Sequence, residues 1–104
     1  MSFAVKLTRE AELDLLKLYE FVLERELERG GALELAQRAF DAMKDGLATL
    51  ARSPFTCRKA ADSSFLRELV IPFGHTGYVA LFEIVDSQSI VVAALRHQRE
   101  DDFH

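Results

Sequence analysis

FLRELVIPFGHTGYVALFEIVDSQSIVVAALR, residues Phe65 to Arg96, is the stretch that decides the fold. It contains three runs rich in β-branched and aromatic residues, separated by two groups of turn-forming residues. The predicted strands are Phe65 to Ile71, Gly77 to Val85 and Ser89 to Arg96, with turns at Pro72 to Thr76 and Asp86 to Gln88. Short turns join antiparallel neighbours, so the stretch predicts an antiparallel meander. The last two strands are continuously apolar, which indicates burial on both faces or nearly so.

The residues before this meander begin with a strand and a long helix. Large apolar side chains alternate with Ala4 and Lys6 over Phe3 to Leu7, the period of a half-buried strand. Thr8 is a candidate N-cap, and acidic residues follow in the first turn, where the helix dipole favours them. The predicted helix runs from about Arg9 to Arg29. Its apolar residues recur at spacings of three and four: Leu15, Leu18, Tyr19, Val22 and Leu23.

A second helix follows after a glycine pair. Gly30 and Gly31 end the first helix because glycine readily adopts the left-handed conformation of a C-cap. The next apolar stripe starts from Ala32, stops at Ser53-Pro54, and contains Ala36, Ala39, Phe40, Met43, Leu47 and Leu50. The two helices are therefore predicted to form a helical hairpin. Phe55 to Ser64 has no clean period and predicts a loop.

The predicted fold is α+β, with element order β-α-α-β-β-β. A helical hairpin packs on one face of a small antiparallel sheet, which gives two layers. The 104 residues are expected to form a single domain, 1–104, because domains cluster near this size and the sequence contains no linker or repeat.

Composition and charge exclude several classes of protein. The net charge is −4, which disfavours nonspecific binding to nucleic acid. No apolar run approaches the roughly 20 residues that span a bilayer, and the N-terminus lacks a signal-peptide pattern, so we expect no membrane association and a cytoplasmic location. Cys57 is the only cysteine, which excludes an internal disulfide and a zinc site built on several thiolates. No sequence feature places a base beside Cys57 to make it reactive.

Several segments, in this order and spacing, resemble the ParE branch of the RelE/ParE superfamily of bacterial toxins, the plasmid-stabilisation type. Ala11 to Val22 (AELDLLKLYEFV) is similar to the first helix of that family. Leu47 to Pro54 (LATLARSP) resembles the exit from its second helix, and Arg67-Glu68-Leu69 its second strand. The pair of runs Tyr78 to Ile84 and Ile90 to Asp101 is similar to the final hairpin, with a histidine-x-arginine tail in Arg96-His97-Gln98-Arg99.

This resemblance implies the toxin of a type II toxin–antitoxin system, bound in a hetero-oligomer by a cognate, ParD-like antitoxin. ParE members inhibit DNA gyrase, whereas RelE members cut messenger RNA in the ribosome. One fold thus carries two activities, and an inactive relative that keeps only antitoxin binding is a third class. We expect a gyrase inhibitor without catalytic residues, cofactor or metal, and an endoribonuclease is the alternative.

The polar end of the last predicted strand supplies the candidate target-binding residues. The candidates are Arg96, His97 and Arg99 from this end, together with Arg67 from a neighbouring predicted strand. For the ribonuclease alternative, Glu83 is the candidate base, the arginines hold phosphate, and His97 or His104 is the candidate acid, with His75 and Tyr78 as further acids. The acidic net charge and the absence of lysine after Lys59 count against docking on ribosomal RNA.

A second set of candidates concerns the antitoxin. Leu13, Leu16, Phe21 and Leu27 do not all fit the main apolar stripe of the first helix. Some of them are therefore expected to face outward, where an amphipathic segment of the partner would cover them.

Overall fold

Two helices pack on one face of a five-stranded sheet. The computed structural model describes residues 2–60, 63–74 and 76–98. Its elements are β1 (Ala4–Leu7), α1 (Arg9–Arg29), α2 (Glu34–Thr49), a 3-10 turn (Pro54–Thr56), β2 (Arg58–Lys59), β3 (Leu66–Phe73), β4 (Thr76–Asp86) and β5 (Ser89–His97). The predicted α+β class and the predicted order of helices and main strands are confirmed.

The sheet has the strand order β1-β5-β4-β3-β2. The predicted meander of β3, β4 and β5 is antiparallel throughout. The sheet differs from the predicted antiparallel one at its edge, because β1 runs parallel to β5, with Val5 opposite Ile90. The 81 residues between β1 and β5, Thr8 to Gln88, include both helices, which provide the crossover that parallel pairing needs. The predicted loop after Phe55 also contains the short strand β2, which pairs with β3.

The helix boundaries follow their capping residues. Thr8 Oγ1 accepts a hydrogen bond from the Ala11 amide at 3.1 Å, which caps α1 as predicted. Gly30 has φ of 66° at the C-cap, a conformation that favours glycine. The second helix begins at Glu34, two residues later than the sequence suggests.

The core lies between the helices and the sheet. One cluster joins Ala11, Leu47 and Leu50 to Phe82 and its strand neighbours, and a second joins Ala39 and Met43 to Ile71 and Tyr78. Ala36, Ala39 and Met43 of α2 are fully buried. Tyr78, Ala80 and Phe82 therefore point toward the helices, and the residues between them point to the opposite face of the sheet.

A β-bulge interrupts β5 and is held by α1. Leu81 pairs with Ala94 but Phe82 pairs with Val92, so Ala93 is the extra residue. Thr8 Oγ1 donates a hydrogen bond to the Ala93 carbonyl at 3.1 Å. The Leu95 amide donates to Asp14 Oδ2, also at 3.1 Å. Two side chains at the start of α1 thus provide hydrogen-bond partners for the irregular backbone.

Candidate functional site

A groove of about 330 Å³ opens between the second half of α1 and the turn that joins β3 to β4. We refer to it as the helix-end groove. Its walls include Leu18, Phe21, Val22 and Glu26 from α1, Phe73 and Thr76 beside the turn, and Tyr78 and His97 from the sheet. The walls combine apolar and hydrogen-bonding side chains, which is the usual character of a binding site.

His97 lies in the wall of this groove, at the end of β5. Its Nε2 is 3.1 Å from Thr76 Oγ1, and its ring stands perpendicular to that of Tyr78, with centroids 5.7 Å apart. Burial raises the pKa of the Tyr78 hydroxyl, while the positive charge of Arg25 acts in the opposite direction. The neutral phenol is therefore the form that this wall presents at neutral pH.

Arg96 lies on the other face of the sheet from His97. It pairs with Val79, whereas His97 pairs with Tyr78, and successive residues of a strand point to opposite faces. The predicted target-binding residues Arg96 and His97 are therefore neighbours in sequence but serve two different surfaces. Arg99 lies outside the described residues.

Arg67 is remote from both. It pairs with Phe82, so three residues along β4 and two strand spacings separate it from Arg96. That is about 10 Å along the strands and about 10 Å across them. Its Nη1 donates to the Cys57 carbonyl at 2.7 Å, and its guanidinium carbon lies 5.6 Å from the centre of the Phe55 ring. Arg67 therefore fastens the 3-10 turn and β2 to β3.

The candidate ribonuclease residues are likewise dispersed. Glu83 pairs with Leu66 and Val91, on the face opposite Arg67, and stands four residues along β4 from the position of Arg96. A general base and acid need hydrogen-bond reach of the same reacting group. The described candidates are not assembled around one point. His75 and His104, the other candidate acids, lie outside the described residues.

The four predicted antitoxin-binding residues are all exposed. Leu13, Leu16, Phe21 and Leu27 have between 46% and 59% of their surface accessible. At 100° per residue, the three leucines lie within about 60° of one another around α1, and Phe21 is about 80° or more away. Phe21 borders the helix-end groove, while Leu16 borders a depression beside Lys6 and Leu7 of β1. The set thus belongs to two sides of the helix.

Glu26 is a groove residue that the sequence interpretation missed. It is only 6% exposed and is the buried charged residue among those described. The signal was available, because Glu26 follows Val22 by four residues and Leu18 by eight, the spacing of the buried stripe. A carboxylate at an apolar position of an amphipathic helix indicates that it pairs with a specific partner.

Comparison with known proteins identifies the family. The family model described as "ParE toxin of type II toxin-antitoxin system, parDE" matches residues 5–102. The chain belongs to the ParE toxin family. The predicted resemblance to ParE is confirmed, and the protein is a ParE-type toxin of a type II toxin–antitoxin system.

Several solved chains match this ParE-family chain, and one of them shows the shared fold in detail. It is a chain of the chromosomal ParDE TA system from P. aeruginosa, with a TM-score of 0.70 and 18% identity. The match covers 92% of this chain and 96% of that one. No functionally curated protein matches the sequence.

The described residues also bear on two other classes of site, a membrane span and a metal centre. No helix in the described part of the chain has the length and hydropathy needed to cross a membrane. Within residues 2–60, 63–74 and 76–98, no group of three or more His, Cys, Asp or Glu side chains is placed to hold a metal ion.

Proposed function

We propose that this ParE-family toxin inhibits DNA gyrase in the cytoplasm and is neutralised by a cognate antitoxin. The toxin acts by binding, with Arg96 and His97 contributing target contacts on the two faces of the sheet and Arg99 contributing a further one. Arginine forks suit this role because a planar guanidinium can bind a carboxylate with two parallel hydrogen bonds. The proposal includes a single domain over 1–104 and a hetero-oligomer with the antitoxin.

The dispersion of the candidate ribonuclease residues is the observation that supports gyrase inhibition rather than cleavage of messenger RNA. Arg67 and Glu83 lie on opposite faces of the sheet, and the guanidinium of Arg67 donates a hydrogen bond to the Cys57 carbonyl. Cleavage at a ribose hydroxyl would need a base, a phosphate-binding cation and an acid around one phosphate. The net charge of −4 supports the same choice, since a protein that docks on ribosomal RNA gains affinity from positive charge.

The proposal is tested by pulse labelling after induction of this chain alone. Thymidine incorporation is expected to fall within minutes while methionine incorporation continues. Addition of the purified toxin to gyrase and relaxed plasmid should then suppress supercoiling. Loss of methionine incorporation before thymidine incorporation would replace gyrase by the ribosome as target, and unchanged incorporation of both would indicate an inactive relative.

A matched pair of variants tests the target surface. The triple variant Arg96→Ala, His97→Ala and Arg99→Ala should abolish growth inhibition, because it removes the proposed target contacts. The control, Arg9→Ala with Lys17→Ala, removes the same number of permanent cations from exposed positions of α1 and should remain toxic. Thermal unfolding of both proteins excludes a loss of fold. Retained toxicity in the triple variant would exclude this target surface.

A further inference from the structure

Glu26 occupies an electrostatically unfavourable position. The residue is 6% exposed, and its Oε2 is buried without a hydrogen-bond partner in the described part of the chain. The nearest cation is Arg29, whose Nη1 is 3.6 Å from Oε2 and whose side chain is 63% exposed. A solvated arginine at that distance compensates a buried carboxylate only weakly. Buried carboxylates are normally satisfied by close cations or several hydrogen bonds.

The carboxylate lies in the wall of the helix-end groove, and part of that wall is apolar. Leu18 and Val22 precede it on the same side of α1, and Phe73 closes the groove from the turn. Such walls accept the methylene groups of a long basic side chain, while a carboxylate at the end accepts its charged group. The chemistry of the groove therefore fits an alkyl ammonium or alkyl guanidinium group.

We propose that the helix-end groove receives a lysine or arginine side chain of the antitoxin, which forms an ion pair with Glu26. This inference rests on the proposed function, because that function supplies the antitoxin. Phe21, which borders the groove and is 57% exposed, becomes covered by the same segment of the partner. Glu26 is then the residue that makes the toxin select a basic partner segment at this point.

The surrounding charge favours a basic partner segment. Acidic residues outnumber basic ones along α1, and Glu20, Glu24 and Glu28 are all exposed. These carboxylates attract a cationic segment at long range and set the rate of encounter more than the final affinity. Arg25, also exposed, lines the groove and would repel a cation placed beside it rather than beside Glu26. The buried Glu26 is consequently where the pairing specificity is expected to reside.

The first experiment replaces the carboxylate without changing its size. Glu26→Gln should raise the Kd for the antitoxin encoded beside this chain at least tenfold, measured by biolayer interferometry. The control is Glu28→Gln, an exposed glutamate of the same helix, which should stay within twofold of the unmodified protein. Thermal unfolding of both variants is measured in parallel. Equal Kd values for Glu26→Gln and the unmodified toxin would overturn the proposal.

The second experiment varies the antitoxin and tests each variant against the unmodified toxin and against Glu26→Lys, whose own growth inhibition shows that it is folded. Each lysine and arginine in the toxin-binding segment of the antitoxin is replaced singly by glutamate. One antitoxin variant should fail to neutralise the unmodified toxin but should neutralise the Glu26→Lys toxin. If no single replacement gives this exchange, the groove does not receive a basic side chain. Failure of the unmodified antitoxin to bind at all would remove the proposed partner itself, whereas the gyrase assay above stands apart from both results.

Discussion

Cys57 shows how the residues around a side chain determine its chemistry. The thiol is partly buried beside Thr56 and Arg67. Burial raises the pKa of Cys57 above its ordinary value, and the hydrogen bond from Thr56 and the charge of Arg67 only partly oppose this. The sequence offers no base beside Cys57, and the effect of burial on its pKa also works against a role as nucleophile.

We predict slow alkylation of Cys57 in the folded protein. At pH 8, reaction with iodoacetamide should be roughly fivefold or more slower than in the urea-unfolded chain, because less thiolate is present and access is reduced. The raised pKa also means that the unfolded chain loses this proton first. Ionisation of Cys57 therefore leaves the free energy of unfolding unchanged below about pH 9 and lowers it as pH rises further. Mass spectrometry of timed samples gives the rates, and faster alkylation of the folded chain would indicate an activated cysteine.

At the scale of elements, the contact between α1 and β5 connects local capping to sheet geometry. Thr8 caps α1 through Ala11 and also binds the carbonyl of the bulged Ala93. One hydroxyl thus serves a helix end and a strand irregularity. The bulge reorients β5 just before Arg96 and His97, so this contact helps to set which surface each of these two residues serves.

We predict that Thr8→Ala lowers the free energy of unfolding by about 1–2 kcal/mol, since a cap and a second hydrogen bond are both lost. Urea denaturation measures the change. Thr8→Ser keeps the hydroxyl and should retain most of the stability. Thr49→Ala is the matched control at an exposed helical threonine and should shift stability by about 0.5 kcal/mol or less. Equal effects of Thr8→Ala and Thr49→Ala would show that neither the cap nor the contact with the bulge contributes to stability.

At the scale of the whole molecule, the first strand completes the sheet by pairing with the last. Val5 pairs with Ile90 across β1 and β5 and packs against the larger core cluster. The residues of this pair are separated by nearly the full chain. Because long loops cost more entropy to close, we expect this contact to form after the helices and the meander.

We predict that Val5→Ala lowers the free energy of unfolding by about 1–2 kcal/mol, through lost burial at this closure. Lys6→Ala, at the neighbouring exposed position of the same strand, should change it by about 0.5 kcal/mol or less. Unfolding followed by far-ultraviolet circular dichroism compares the two. If Lys6→Ala is as damaging as Val5→Ala, burial of the Val5 side chain is not what stabilises the closure.

The elements themselves could be predicted because their signals are local. Thr8 and Gly30 marked the ends of α1, and runs of β-branched and aromatic residues between turn-forming residues marked β3, β4 and β5. Apolar stripes also identified the helical hairpin, and the ordered motifs indicated the ParE family. Each of these signals lies within a few residues of the feature that it predicts.

The sequence by itself determined the helices, the meander and the family. Only the tertiary structure decided that β1 is parallel to β5, that Arg96 and His97 serve opposite faces, and that Arg67 binds the Cys57 carbonyl. It also showed Glu26 buried in the groove wall. The physical reason is that periodicity specifies which residues are apolar within an element, but pairing partners and register depend on contacts between distant parts of the chain.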